Sequence, residues 1–110
     1  MFTPRYQSEN TDRLVQSLLS LKNEDELYRF LEDVLTIQET KSITQRLEVA
    51  AMLRNKETYQ EIVRKTGAST TTIGRVNRSL QYGAGGYQLV LDRINNDSSP
   101  QKESEGIDKA

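Results

Sequence analysis

The stretch Arg64–Arg78, RKTGASTTTIGRVNR, decides how this 110-residue chain folds. It holds two glycines and four threonines, all poor helix formers, with basic residues at both ends. The residues before it carry good amphipathic helical periodicity, so the stretch reads either as an interrupting loop or as a helix whose surface serves something other than packing. Local chemistry favours the second reading. Gly67 supplies the left-handed residue that ends one helix, and Ser69 is a suitable N-cap for the next. Two helices separated by a glycine-centred turn are therefore predicted.

A helix-turn-helix, here predicted at about residues 58–80, constrains a handful of positions. Ile62, near the end of the first helix, must be apolar so that the second helix can pack on it. Gly67 must permit the backbone reversal, and Ala68 must be small and buried. Ile73 and Val76, three apart, must reach back into the core. All five requirements are met in order, while Val63 departs from the pattern because a smaller residue would ease a close crossing. Thr58-Tyr-Gln-Glu61 has the form of a capping box for the first helix, with Tyr59, Ile62 and Val63 facing inward.

On a wheel at about 100° per residue, Ile73, Val76 and Leu80 fall on one side of residues 70–80, with Thr70 and Asn77 at its margin. Thr71, Gly74, Arg75 and Arg78 fall on the other. Small side chains let a helix sit deep in a DNA major groove, and arginine pairs bidentately with guanine or clamps phosphates. The exposed N–H groups near Ser69 and Thr70 suit a backbone phosphate. Lys41, Arg46, Arg54, Lys56, Arg64 and Lys65 would add attraction independent of sequence. A glycine-ended helix pair with a merely polar surface is the plain alternative. Five core positions, two N-caps and an Arg/Thr outer face together favour nucleic-acid binding.

Outward from this motif, the rest of the chain also reads as helix. Leu14, Val15, Leu18, Leu19 and Leu21 predict a helix at about 9–21. Asn23 caps a second at about 24–35, with acidic residues in its first turn and a stripe of Leu27, Phe30, Leu31, Val34 and Leu35. Thr36-Ile-Gln-Glu39 is a capping box opening a third, whose inner face would be Ile43, Leu47, Ala50 and Ala51, with Met52 and Leu53 nearby. Gln81–Gly86 is a flexible break before a last helix at about 87–95. Its GAGG follows a helix instead of a strand, so it is not a phosphate-binding loop. Tyr28, Tyr59, Tyr82 and Tyr87 read as core or interface anchors. With no alternating pattern of useful length, the fold class is all-α, about six helices, in a helical domain at residues 1–94. Residues 95–110 are polar and expected to be a disordered tail.

Composition narrows the chemistry. With neither cysteine nor histidine, disulfides, thiolate metal sites and the commonest general base are excluded. The acidic cluster Glu24, Asp25, Glu26, Glu32 and Asp33 lacks calcium-loop spacing and reads as a solvated helix face. No metal, cofactor or catalytic residue is expected, and the protein is not read as an enzyme. No apolar run approaches the roughly 20 residues that span a membrane, and the polar N-terminus lacks a signal-peptide core. A cytoplasmic protein with no membrane partner is expected. The formal net charge of −1 conceals segregation: residues 41–80 carry eight basic and three acidic side chains, residues 23–40 one basic and six acidic.

TGASTTTIGRVNRSL (Thr66–Leu80) and QYGAGGY (Gln81–Tyr87), set within Ile43–Ile94, resemble the Trp repressor superfamily, most closely its YerC/YecD-type Trp-repressor-related members. The resemblance implies an intertwined all-α homodimer, with three helices before the motif and one after it. Such dimers regulate transcription by placing two recognition helices in successive major grooves of a near-palindromic double-stranded operator, with half-sites about one helical turn apart. Carried over by position, Gly67, Ala68, Ser69, Thr70, Thr71, Thr72 and Gly74 match the DNA-reading turn and helix. Gln60 stands where the family has a basic DNA contact.

The family's corepressor is held by two arginines and a nearby serine. Their matches are Gln45, with Arg46 one residue along, then Arg75 and Ser79. Because Gln45 replaces an arginine and Val76 a pocket glycine, a small-molecule corepressor is open but tryptophan is expected not to be the effector. Arg75 has two candidate roles, ligand clamp or DNA contact. The leading expectation is a DNA-binding transcriptional regulator, with repression the favoured mode. The alternatives are a replication-origin-type DNA-binding module and a helical protein-interaction module without DNA binding.

Overall fold

A computed structural model describes residues 1–97; the predicted disordered tail lies, beyond Asp97, outside the described residues. Six α-helices make up the described chain: α1 (Glu9–Leu19), α2 (Glu24–Val34), α3 (Ile37–Arg54), α4 (Tyr59–Thr66), α5 (Thr70–Tyr82) and α6 (Gly86–Asp97). The all-α class is as expected, and α5 and α6 each run two residues past their predicted ends. Among the described residues no helix is long and apolar enough to cross a membrane.

Caps written in the sequence set most helix ends. Ser8 opens α1 with a reciprocal box, Ser8 Oγ accepting from the Thr11 N–H at 3.1 Å while the Ser8 N–H donates to Thr11 Oγ1 at 2.8 Å. Asn23 Oδ1 accepts from the Glu26 N–H at 3.0 Å. The Thr36 box closes in both directions, Glu39 N–H to Thr36 Oγ1 at 3.0 Å and Thr36 N–H to Glu39 Oε1 at 2.9 Å. The Thr58 box closes in one direction: Glu61 N–H reaches Thr58 Oγ1 at 3.2 Å, but the Glu61 carboxylate turns to Arg64 at 2.6 Å. A guanidinium three residues along outcompetes a neutral N–H for that carboxylate. Arg64 also holds the exposed Glu61 carboxyl below the usual carboxylate range, chiefly through this hydrogen bond.

The chain divides into two compact units, Met1–Thr40 and the part from Lys41 onward. In the first, α1 and α2 contain no buried residue although both are strongly amphipathic. The acidic residues predicted to form a solvated face have local roles there: Asp25 pairs with Arg29 at 2.9 Å, and Glu26 accepts from the Lys22 N–H at 2.8 Å.

The second unit holds the core. Val49, Ala50 and Met52 of α3, Ile62 of α4, Ala68 of the turn, Ile73 and Val76 of α5 and Leu91 of α6 are buried, with Leu47, Ala51, Leu53, Leu80 and Tyr87 packed around them. Four of the five motif positions are thus core residues, and the fifth, Gly67, takes the left-handed conformation at φ 74°. Of the predicted inward face of α3, Ala50 and Met52 are buried and Leu47, Ala51 and Leu53 pack on the core, but Ile43 is exposed and Val49, not anticipated, is fully buried. Leu47 and Val49–Leu53 surround the helix with apolar groups, so periodicity does not select one face. On the eight-residue α4 only Ile62 is buried; Tyr59 and Val63, expected to face inward with it, are exposed. Val63 is 37% exposed and stands outside the buried core. Of the four tyrosines named as anchors, Tyr87 alone packs on this core, while Tyr28, Tyr59 and Tyr82 are exposed in the single chain.

Ile73→Ala would leave a void beneath α5 with no solvent to fill it. The expected loss is about 2–5 kcal/mol of folding stability, read from a shifted denaturant midpoint at unchanged slope.

Between α5 and α6 the glycines are structural, not merely flexible. The Gly83 N–H donates to the Ser79 carbonyl at 2.9 Å, and a Cβ at Gly83 would lie 2.4 Å from that oxygen. Gly85 sits at φ 84°, where L side chains are disfavoured.

Candidate nucleic-acid interface

Helix α5 begins where three local choices agree. Gly67 ends α4, Ala68 enters the core, and the Ser69 hydroxyl accepts from the Thr72 N–H at 3.1 Å. Ile73 and Val76 then fix the rotation of α5, so Thr71, Arg75 and Arg78 are exposed and Gly74 half-exposed. Neither Arg75 nor Arg78 has an ion-pair partner among the described residues. Nothing within 4 Å opposes a Cβ at Gly74. The protein's own packing therefore does not explain that glycine, which costs a helix interior roughly 1 kcal/mol relative to alanine.

The other predicted positions divide by environment. Gln60, Ser69 and Thr70 are exposed, and Thr72 is partly buried with its hydroxyl 3.1 Å from Ser69 Oγ. Ala68 contributes spacing and not a contact, because its side chain is buried. Of the basic residues expected to add general attraction, Arg54 pairs with Asp92 at 2.7 Å, Arg64 with Glu61 at 2.6 Å and Lys65 with Glu57 at 3.0 Å. Lys41, Arg46 and Lys56 have no carboxylate partner among the described residues. Lys56 occupies the left-handed region at φ 63° in the turn before α4, a conformation that sequence reasoning did not anticipate because glycine or asparagine would suit it better.

The candidate effector residues have separate local environments in the single chain. Gln45 Nε2 donates to the Thr66 carbonyl at 3.1 Å. Arg46 Nη1 donates to Ser42 Oγ of its own helix at 2.8 Å. Arg75 and Ser79 are exposed on α5, and Val76 is 2% exposed within the core. Thr66 is the residue missed from sequence. Its hydroxyl donates to the Ile62 carbonyl at 2.7 Å and accepts from the Ala68 N–H at 3.1 Å. The signal available was a threonine two residues before an N–H that needs a partner, the hydroxyl-turn pattern.

With this geometry in place, the comparisons agree on one kind of protein. Residues 9–95 match the family of Trp repressor proteins. The YerC protein of Bacillus subtilis is 50% identical over 90 residues, covering 82% of this chain and 86% of that protein. A TrpR-like protein from Eubacterium eligens superposes with a TM-score of 0.76 at 54% identity, over 81% of this chain and 92% of that one. A Trp repressor candidate from Staphylococcus aureus gives the same TM-score at 44% identity, over 81% and 89%.

Proposed function

Because the chain belongs to the Trp repressor family, of the YerC type, we propose that it is a homodimeric, sequence-specific regulator of transcription that binds double-stranded DNA. The observation that carries this reading is the outward face of α5, where Thr71, half-exposed Gly74, and Arg75 and Arg78, without ion-pair partners among the described residues, form a slim, cationic surface on a helix held by its own core. Gly74 and Thr71 allow close approach to base edges. The arginines contact guanine or phosphate, Ser69 and Thr70 present backbone N–H groups to a phosphate, and Gln60 approaches the flanking backbone. Repression follows when such a dimer occupies a near-palindromic operator overlapping a promoter, and the protein acts in the cytoplasm.

The apolar stripes of α1 and α2 support dimerisation. Leu14, Val15, Leu18, Leu27, Leu31 and Val34 are all exposed in the single chain. Amphipathic helices gain most of their stability by burying such a face, and a second copy offers the same stripes in return.

Selection of bound sequences from random DNA tests the whole reading. A palindrome with half-sites about 34–36 Å apart is expected, with affinity falling steeply as salt rises. Failure to enrich any sequence would sink it in favour of a protein-interaction module. Gly74→Ala sharpens the test through opposite signs. Stability should rise by about 1 kcal/mol from helix propensity, while operator affinity falls because the added methyl stands on the groove-facing side. A Gly74→Ala protein that is stabilised yet binds as before would show that this face does not enter the groove.

A further inference from the structure

The turn between α4 and α5 is knitted largely by its own residues. Gly67 N–H donates to the Val63 carbonyl at 2.9 Å, and the Thr66 hydroxyl links the Ile62 carbonyl to the Ala68 N–H. One partner comes from outside the motif: Gln45, on α3, donates to the Thr66 carbonyl from 21 residues away in sequence. That carbonyl belongs to the last turn of α4, where a helix provides no donor of its own. Thr66 is partly buried, and its carbonyl takes the Gln45 amide as its donor. The helix that supplies it is 18 residues long, and its far end is tied to α6 through Arg54, bonded to Asp92 at 2.7 Å and to the Gln88 carbonyl at 3.4 Å. Thr66 lies three residues before Ser69, the cap of the reading helix. Any shift at Thr66 is therefore passed directly to the start of α5.

The chemistry of Gln45 suits a tether and not a ligand clamp. Its amide is neutral, so it satisfies a backbone carbonyl but offers no charge to a carboxylate. Arg46 is turned to Ser42, and Val76 fills its place in the core with a side chain.

We propose that Gln45 is a positioning residue for DNA recognition, whose amide holds the α4–α5 turn in its reading geometry so that the operator is bound without a small-molecule effector. This inference rests on the DNA-binding reading above. The internal hydrogen bond holds the turn from within the chain, so DNA competence is a standing property of the fold.

The test uses dialysed full-length protein on the operator selected from random DNA, with and without added L-tryptophan, comparing wild type with Gln45→Glu and Gln45→Ala. Wild type is expected to bind without ligand, and L-tryptophan to leave its affinity unchanged. Gln45→Glu keeps the shape but loses the donor at neutral pH; Gln45→Ala removes the group without adding charge. Both are expected to weaken binding about tenfold, with the salt dependence unchanged because no phosphate contact is lost. Amide exchange at Gly67 and Ala68 should quicken while exchange at Val49 stays slow, a pattern that general destabilisation does not produce. Variants that match wild type in affinity and exchange overturn the proposal, as does wild-type binding that requires L-tryptophan. If wild type selects no DNA, the regulatory reading itself fails, and exchange at Gly67 and Ala68 still decides whether the amide holds the turn.

Discussion

Leu18→Asp combined with Leu31→Asp is expected to convert the protein to a monomer and to cost about 10²–10⁴-fold in operator affinity. The two leucines lie on the apolar stripes of α1 and α2 and are 39% and 37% exposed in the single chain. Full burial of one leucine stabilises an assembly by roughly 1.5–3 kcal/mol. Each substitution occurs twice in a dimer, and each places a carboxylate where desolvation would be heavily penalised. The affinity loss follows from bivalency: once one reading helix is bound, the second engages at high effective concentration, and a monomer forgoes that gain. Sedimentation and operator titration measure the two effects on the same samples. A wild-type protein that sediments as a monomer at the concentrations where it binds DNA would remove the dimer from the reading.

Arg78→Ala and Arg75→Ala come next in expected effect. A well-placed bidentate arginine–guanine pair discriminates against the wrong base by about 1–3 kcal/mol, and a dimer presents each arginine twice. The variants distinguish the two kinds of contact. Loss of a base contact relaxes one position in each half-site, whereas loss of a phosphate contact weakens all sequences alike and flattens the salt dependence by about one phosphate per half-site. Arg78→Ala is expected to do the first. Arg75→Ala checks the DNA contact proposed for that residue: affinity in the absence of any ligand falls if Arg75 touches DNA and stays unchanged if it is instead the ligand clamp that the family resemblance also allows. Neither variant should alter folding, because both side chains are exposed and unpaired among the described residues. Two silent variants would remove α5 from the role of reading helix.

The helix-turn-helix was legible because its determinants are local. Asn23, Thr36, Thr58 and Ser69 each cap through a hydrogen bond to an N–H three residues along, so residue type and spacing suffice to place them. Gly67 reveals itself by the left-handed turn that few other residues accept. Spacing of Ile73 and Val76 sets which side of α5 faces the core, and the outward position of Thr71, Arg75 and Arg78 follows from it. Elsewhere local rules gave competing answers. Glu61 fits a capping box and also an ion pair with Arg64, and the charged partner won. Glycine was expected to loosen residues 83–86, whereas Gly83 is needed because the Ser79 carbonyl leaves no room for a Cβ.

By itself, then, the sequence determined six helices, the places where four of them begin, the turn at Gly67, and the side of α5 that lies outside the core, since each depends on groups within about one helical turn. Tertiary structure alone decided that Val49 and not Ile43 is the inward residue of α3, because the apolar band there encircles the helix and only the neighbouring α4, α5 and α6 residues of the core select a face. It also decided that Gln45 serves the Thr66 carbonyl. A hydrogen bond across 21 residues has no spacing signature; it exists because folding brings a partly buried helix end, short of a donor, beside an amide that has one to give.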